Sequence, residues 1–451
     1  MNRIRIILIL ALALPSGLWA QKKTLGLEEC LLMSEANDPY IRGARLDITA
    51  AKAQKAEAVW SYFPTVSLRA MGYWSVNPLL EITVTDVLGT SDAARDLSNS
   101  ITAYALENGM NSTYTALKSG YGVSVVAMQP LYAGGRIVNG NRLAALGVQA
   151  AQVQSRLKVR QTRQEVEKKY WTVVSLQEKE TTLLRASDLL ASLEKDVRSA
   201  LEAGLATEND LMQVQLKMKE LSSGMIKLRS GMKLAKMDLF NAIGQKYSFT
   251  GLDDIVLEDT SASPLPPSEY VVADSLIAVF DESQLLAMQV ESEKLNKRMN
   301  VGEYLPQVAV GASYGYANYY RDPSFNGIAF ATVSIPLTDI GKAAERARRY
   351  NARIEKAAIE KEYLDAQLLL QARQLQVEME SAWDQMGVAE EALKVAADSQ
   401  SRLRADYDAG LATMSDLLQA ELSLRTCEEA LIDRRNSYRQ CVSAYLARVK
   451  P

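Results

Sequence analysis

Ala203-Gly204-Leu205-Ala206-Thr207-Glu208-Asn209-Asp210-Leu211 and Ala409-Gly410-Leu411-Ala412-Thr413-Met414-Ser415-Asp416-Leu417 are one phrase written twice, 206 residues apart from Gly204 to Gly410. A repeat of this kind governs every later reading of the chain. Each copy has the residue types of a tight turn between two helices. Glycine suits the left-handed position after a last helical turn, and Thr207 or Thr413 can cap the helix that follows. Asp210 and Asp416 then fall in its first turn, where negative charge favours the helix dipole. A well-made helical hairpin accounts for all these residues without any functional role.

Working outward, the same spacing relates Gln213 to Gln419, Pro130-Leu131 to Pro336-Leu337, and Gly135 to Gly341. Tyr62-Phe63-Pro64 and Tyr304-Leu305-Pro306 lie 242 residues apart, Pro64 to Pro306. The first half therefore carries about 36 more residues than the second between its Pro64 and Pro130. These markers divide the chain into a segment 1–20, a first repeat over 21–256, a connector at 257–267 rich in Asp, Ser and Pro, and a second repeat over 268–451.

Long heptads flank the repeated phrase. Leu375, Met379, Ala382, Met386, Ala389, Leu393, Ala396, Gln400, Leu403 and Tyr407 alternate at steps of four and three, the seam of a left-handed coiled coil. Leu176, Leu183, Leu190 and Val197 answer in the first half. Beyond the turns, Leu211, Met218, Met225, Met232 and Leu239 form a row beside Val214, Leu221, Leu228 and Ala235, and Leu417, Leu424, Leu431, Tyr438 and Tyr445 form its counterpart. The pattern predicts long helices over 136–202, 207–243, 341–408 and 413–448. A rod from Gly341 to Tyr407 is roughly 100 Å long at about 1.5 Å per residue, far beyond a typical globular helix.

Short alternating runs lie at the opposite ends of these rods, with strands expected near 63–74, 121–130, 305–318 and 327–336. Val66, Leu68, Ala70 and Trp74 share one face against Thr65, Ser67, Arg69 and Tyr73; Tyr121, Val123, Val125 and Ala127 oppose Gly122, Ser124 and Met128. Val308, Val310, Ala312, Tyr314 and Tyr316 oppose Gln307, Gly311, Ser313 and Gly315, while the run Ile328–Ile335 alternates too poorly to assign its faces. Strands of about ten residues with an aromatic end suit an outer membrane, although a soluble antiparallel sheet alternates in the same way. In lipid, four strands cannot close a barrel, since the smallest use about eight. Several chains must then share one, of 8, 12 or 16 strands.

Composition narrows the class. The 451 residues are 48% apolar and 23% charged with a net charge of −3 and no clustered basic patch, which disfavours nucleic-acid binding. Arg3 and Arg5, the apolar run Ile6–Leu14, Pro15 and Ala20 before Gln21 lay out a signal peptide too short to span a bilayer. Cys30, Cys427 and Cys441 are odd in number and read as buried small apolar residues. The chain contains no histidine, which removes imidazole metal sites and most catalytic triads. No phosphate-binding glycine loop or Cys-x-x-Cys site is present, so neither an enzyme nor a cofactor is expected.

In this order, the motifs resemble the TolC family of outer-membrane efflux and secretion channels. Leu27-Glu28-Glu29-Cys30 opens a helix, Asn37-Asp38-Pro39 falls inside the first helical segment, and Phe63-Pro64 leads into a strand. Pro130-Leu131-Tyr132-Ala133-Gly134-Gly135-Arg136 ends a strand pair and starts a rod, and the doubled Ala-Gly-Leu-Ala-Thr completes the set. The resemblance implies a mainly α fold with β: a homotrimer whose 12-strand outer-membrane β-barrel continues into a periplasmic α-helical barrel, with an equatorial belt near Leu257. It implies that Gly204, Leu205, Ala206 and Thr207 with Gly410, Leu411, Ala412 and Thr413 form tips where a periplasmic adaptor (membrane fusion protein) docks, an inner-membrane transporter supplying the energy. By position, Tyr407, Asp210 and Asp416 match the family's periplasmic gate. Ala412 stands where the best-known members have a gating arginine, and Gln419 where they have a second aspartate ring, so the lock differs here. The extra segment, about Ser75–Ser119, falls in a loop that faces the cell exterior in the family, and Asp92–Leu106 is expected to be helical and to cover part of the outer opening.

Two functions follow from these readings. One is a passive exit duct in the outer membrane for efflux or type I secretion. The other is a periplasmic or surface coiled-coil scaffold without a pore, which explains the rods and the signal peptide but not the strands of bilayer length.

Overall fold

The computed structural model describes residues 23–77, 80–110, 113–116, 118–246, 252, 255–258, 265–270, 280–318, 324–336 and 339–449. The signal-peptide segment 1–20 and connector residues 259–264 lie outside the described residues. In chain order the elements are β1 (Lys23–Leu25), α1 (Leu27–Asn37), α2 (Pro39–Trp60), β2 (Thr65–Trp74), β3 (Leu80–Thr83), α3 (Val84–Leu88), α4 (Asp92–Glu107), β4 (Thr113–Ala116), β5 (Ser119–Ala133), α5 (Arg136–Glu202), α6 (Glu208–Ala242), β6 (Ile255–Leu257), α7 (Asp281–Gly302), β7 (Gln307–Asn318), β8 (Ser324–Ser334), α8 (Ile340–Asp408) and α9 (Met414–Val449). Helices dominate. The longest, α5 and α8, run for 67 and 69 residues, roughly 100 Å each.

The first helical segment is not continuous. Asp38 ends α1 and its carboxylate accepts the backbone N–H of Tyr40 and Ile41 at 2.6 and 3.0 Å, so it caps α2, with Pro39 at the first position. Proline costs nothing there, because that N–H has no helical partner anyway. The Asn-Asp-Pro motif is thus a helix boundary.

The chain divides into two compact units, and neither coincides with a repeat: Met1–Ile48, Ala151–Leu286 and Lys361–Pro451 form one, Thr49–Ala150 and Ala287–Glu360 the other. The first unit is helical. Its core gathers Leu25, Cys30, Val166, Tyr170, Trp171, Leu239, Ile243 and Leu257 around the short parallel pair β1–β6, where Leu25 faces Leu257. Lys236 is buried there and donates to the carbonyls of Leu252 and Ile255 at 3.1 and 2.6 Å, which is how a buried ammonium is tolerated. The heptad positions face inward, with Met379, Ala382, Met386 and Ala396 of α8 and Leu431, Tyr438 and Tyr445 of α9 buried. Of the cysteines only Cys30 is buried; Cys427 and Cys441 are half-buried.

The second unit is a four-stranded antiparallel sheet in the order β2-β5-β7-β8, with the β3–β4 pair, α3 and α4 inserted between β2 and β5. At the junction of β5 with α5 the backbones of Gly134 and Gly302 cross. A Cβ on Gly134, whose φ is +62°, would stand 1.9 Å from the Gly302 carbonyl oxygen, so no other residue fits.

Candidate functional site: the apolar sheet face and the helical turns

The strand register places residues in transverse rows, and aligned residues share a face. One row runs Leu68, Val125, Tyr314, Gly327; the next but one runs Ala70, Val123, Tyr316, Phe325; on the other side come Val66, Ala127, Ala312 and Ala329. Ala331 and Val333 extend this face along β8 opposite Val310 and Val308. Across these central rows the face carries no polar side chain but the aromatic hydroxyls, with Ser119, Gln129 and Asn318 on it only towards its ends, and Val66, Leu68, Val125, Tyr314 and Val333 are exposed on it. The intervening rows hold the polar residues, among them Arg69, Ser124 and Asn326 with Gly315 between the last two. The register also settles the fourth strand, with Phe325, Ala329, Ala331 and Val333 on the apolar face and Ile328 and Phe330 on the other.

Aromatic residues mark both ends of the apolar face. Trp74, Tyr121, Tyr316 and Phe325 cluster at one end, with Tyr316 and Phe325 rings 5.2 Å apart; Trp60, Phe63 and Tyr132 stand at the other, with Trp60 and Phe63 rings 5.3 Å apart. From Tyr121 to Tyr132 along β5 is about 36 Å of strand, or about 28 Å of height at a tilt of about 40°, close to the apolar band of an outer-membrane barrel. Arg69 makes the two faces unequal in what they could meet. A mid-strand arginine facing hydrocarbon costs about 2–4 kcal/mol, so in a bilayer the apolar face would be the lipid side and the Arg69 face the wet side.

The sheet ends in two open edges, β2 and β8. Each leaves about half its backbone donors and acceptors unpaired. In hydrocarbon each such group costs several kcal/mol, so either bare edge outweighs the roughly 5–15 kcal/mol that holds a fold together.

The two repeated phrases fold into matching turns in the helical unit. Gly204 and Gly410 have φ of +75° and +74°. Leu205 N–H donates to Ala200 O at 2.8 Å and Gly204 N–H to Leu201 O at 3.0 Å; Leu411 N–H donates to Asp406 O at 2.7 Å and Gly410 N–H to Tyr407 O at 2.9 Å. These are paired Schellman closures. The next helix opens at once with a capping box in both copies. The Asp210 carboxylate accepts the Thr207 hydroxyl at 2.7 Å and its N–H at 3.0 Å, and Asp416 accepts the same groups of Thr413. The hydroxyl and then the N–H of Thr413 hold the Asp416 carboxyl below its ordinary range. Leu205 and Leu411 project bare into solvent, 85% and 81% exposed.

A single apolar cluster joins the turns, with Leu190, Leu193, Val197 and Val214 of the first repeat packed with Met414, Leu417 and Leu418 of the second. Ala206, Leu211 and Tyr407 pack against it. Burial, then the nearby Asp210 carboxylate, push the Tyr407 hydroxyl pKa up, so the structure brings those two gate candidates together. Arg404, which the sequence patterns did not single out, reaches from α8 to Asp196 of α5 at 3.2 Å and also to Asp408 at 3.5 Å. The i,i+4 partner Asp408 was readable in the sequence, whereas Asp196, two hundred residues away, was not.

Comparison with known proteins agrees with this geometry. Residues 282–444 match the family described as outer membrane efflux protein. That stretch is similar to an outer membrane efflux protein domain. Three solved structures share the fold over 94% of this chain: the outer membrane protein VceC of Vibrio cholerae (TM-score 0.73, 14% identity, 95% of that chain), the CmeC outer membrane channel of Campylobacter jejuni (0.72, 11%, 85%), and the open state of the MtrE outer membrane channel of Neisseria gonorrhoeae (0.70, 13%, 88%). No curated protein sequence matches the chain.

The matched stretch takes in nearly all of α7, then β7, β8, α8 and most of α9, hence the second turn and half of the sheet. Outside its bounds, the first repeat supplies β2, β5, α5, α6 and the first turn in the same form. Among the described residues no helix is long and apolar enough to cross a membrane, and no group of three or more Cys, Asp or Glu residues is placed to hold a metal ion.

Proposed function

We propose that the chain is one protomer of a homotrimeric exit duct in the outer membrane, serving tripartite efflux or type I secretion. The observation that carries this reading is the four-stranded sheet with one face apolar and solvent-bare across its central rows and two unpaired edges. Three copies joined edge to edge, β2 of one to β8 of the next, make a closed 12-strand barrel with the apolar faces in lipid and the Arg69 faces inside. Closure satisfies every edge group at once. The long helices continue the wall through the periplasm as a helical barrel, and α4 of the insert covers part of the outer opening.

Conduction is passive and no chemical step is needed. The turns at Gly204–Thr207 and Gly410–Thr413 are the docking tips for a periplasmic adaptor. Two bare leucines on rigid Schellman turns suit burial in a partner's apolar groove. Asp210, Tyr407 and Asp416 form the gate, and an inner-membrane transporter supplies the energy. A scaffold without a pore accounts for the helices, but it leaves an apolar sheet face bare in water, which the hydrophobic effect opposes.

Planar-bilayer recording of the purified protein, with its mass determined in detergent, tests insertion, conduction and stoichiometry together. The expected result is a conducting trimer. A monodisperse, water-soluble monomer that keeps its strand content would refute it.

A further inference from the structure

Among the residues of β2, β5, β7 and β8, Arg69 is the only Asp, Glu, Lys or Arg. It is the fifth residue of the ten in β2, so it stands near the middle of the apolar band. Its row across the sheet is Ser124, Gly315 and Asn326, and no strand offers it a carboxylate. The rows flanking it on that face, Ser67, Val126, Ser313 and Ile328 on one side and Met71, Gly122, Ala317 and Ser324 on the other, hold no charged residue. An arginine so placed is exposed, and nothing on its own sheet neutralises it.

We infer that Arg69 is the residue that sets charge preference in the membrane section of the duct, favouring anionic over cationic solutes. The inference rests on the three-fold barrel proposed above, in which symmetry sets three Arg69 side chains in one ring. Twelve strands spaced about 4.8 Å apart and tilted about 40° put the backbone about 12 Å from the barrel axis. An extended arginine reaches inward by about 6 Å, so the guanidinium groups stand about 6 Å from the axis. With a Debye length of about 10 Å, three unit charges at that distance in water enrich a monovalent anion on the axis by about sevenfold. For a trivalent anion the enrichment is the cube of that, about three hundredfold. Guanidinium also holds carboxylates and phosphates by paired hydrogen bonds, so solutes bearing those groups gain most.

The test is block of single-channel current by citrate added to the outer-side chamber, because a blocker from that side meets the barrel before the helical section. Wild type, Arg69→Lys, Arg69→Ser and Arg69→Glu are compared, each first shown to be a trimer in detergent. The expected result is voltage-dependent block of wild type and Arg69→Lys. The half-blocking concentration rises at least tenfold in Arg69→Ser, and block is lost in Arg69→Glu. Equal block of wild type and Arg69→Ser, or no block of wild type, overturns the inference while leaving the duct intact. Failure to form any pore overturns the duct reading itself.

Discussion

Replacing both Gly204 and Gly410 with valine tests the turns directly. At both positions a Cβ would meet nothing within 4 Å, so the cost is conformational and not a steric clash. The φ angles of +75° and +74° cost an L-residue about 1–2 kcal/mol each, which gives about 2–4 kcal/mol per chain and about 6–12 kcal/mol per proposed trimer. The cheapest escape is to fray the last turn. That breaks the Leu205–Ala200 and Leu411–Asp406 hydrogen bonds and moves the two exposed leucines, while the cluster around Leu193, Val214 and Leu417 keeps the helices packed. The expected outcome is loss of export with trimers still in the membrane. The readouts are dye accumulation in cells lacking their own channel and mass in detergent. A graded series should rank Asn above Ala and Ala above Val, following tolerance of the left-handed region. Export by the double valine variant within about twofold of wild type, a difference of only about 0.4 kcal/mol, would refute a docking role for the turns.

Asp416 carries a pH prediction. Its carboxyl is held low by Thr413, so its capping contribution is complete above the ordinary aspartate value, near 3.9, and is lost as pH falls through the lowered folded value. The gap in thermal midpoint between wild type and Asp416→Asn should therefore close between about pH 5 and pH 2; a gap unchanged over that range would count against the cap. Charge reversal, Asp416→Lys, should alter single-channel conductance if this residue lines the mouth, and identical conductance would place it outside. Asp281, 3% exposed at its side chain, accepts from Arg156 at 2.6 Å and Arg160 at 2.7 Å. Asp281→Ala should destabilise the helical unit by about 2–3 kcal/mol, below the value for a fully buried pair because Arg156 is half exposed. Urea unfolding in detergent with a loss under about 0.5 kcal/mol would show that the clamp is not structural.

The helices were legible because their signals are local. Proline-free heptads, a glycine and a threonine cap state where each rod begins and stops, and α5 and α8 carry those signals over nearly seventy residues. The same holds for the capping boxes, whose two members are three residues apart. Less was legible where partners lie far apart in sequence. The split at Asp38 was missed because the helical pattern continues across it, and the half-exposure of Cys427 and Cys441 depends on how α9 is rotated against its neighbours. The pairing of Arg404 with Asp196 joins two repeats that no spacing rule connects.

By itself the sequence determined the duplication, the rods, the two turns and the alternation of three strands, since each follows from the periodicity of side chains about a single backbone. Only the tertiary structure decided the face of β8, the row in which Arg69 stands, and the meeting of Tyr407 with the cluster below the turns. Those depend on register and packing between segments up to two hundred residues apart. A strand's own alternation says that it has two faces, but a neighbour's register is needed to say which one is dry.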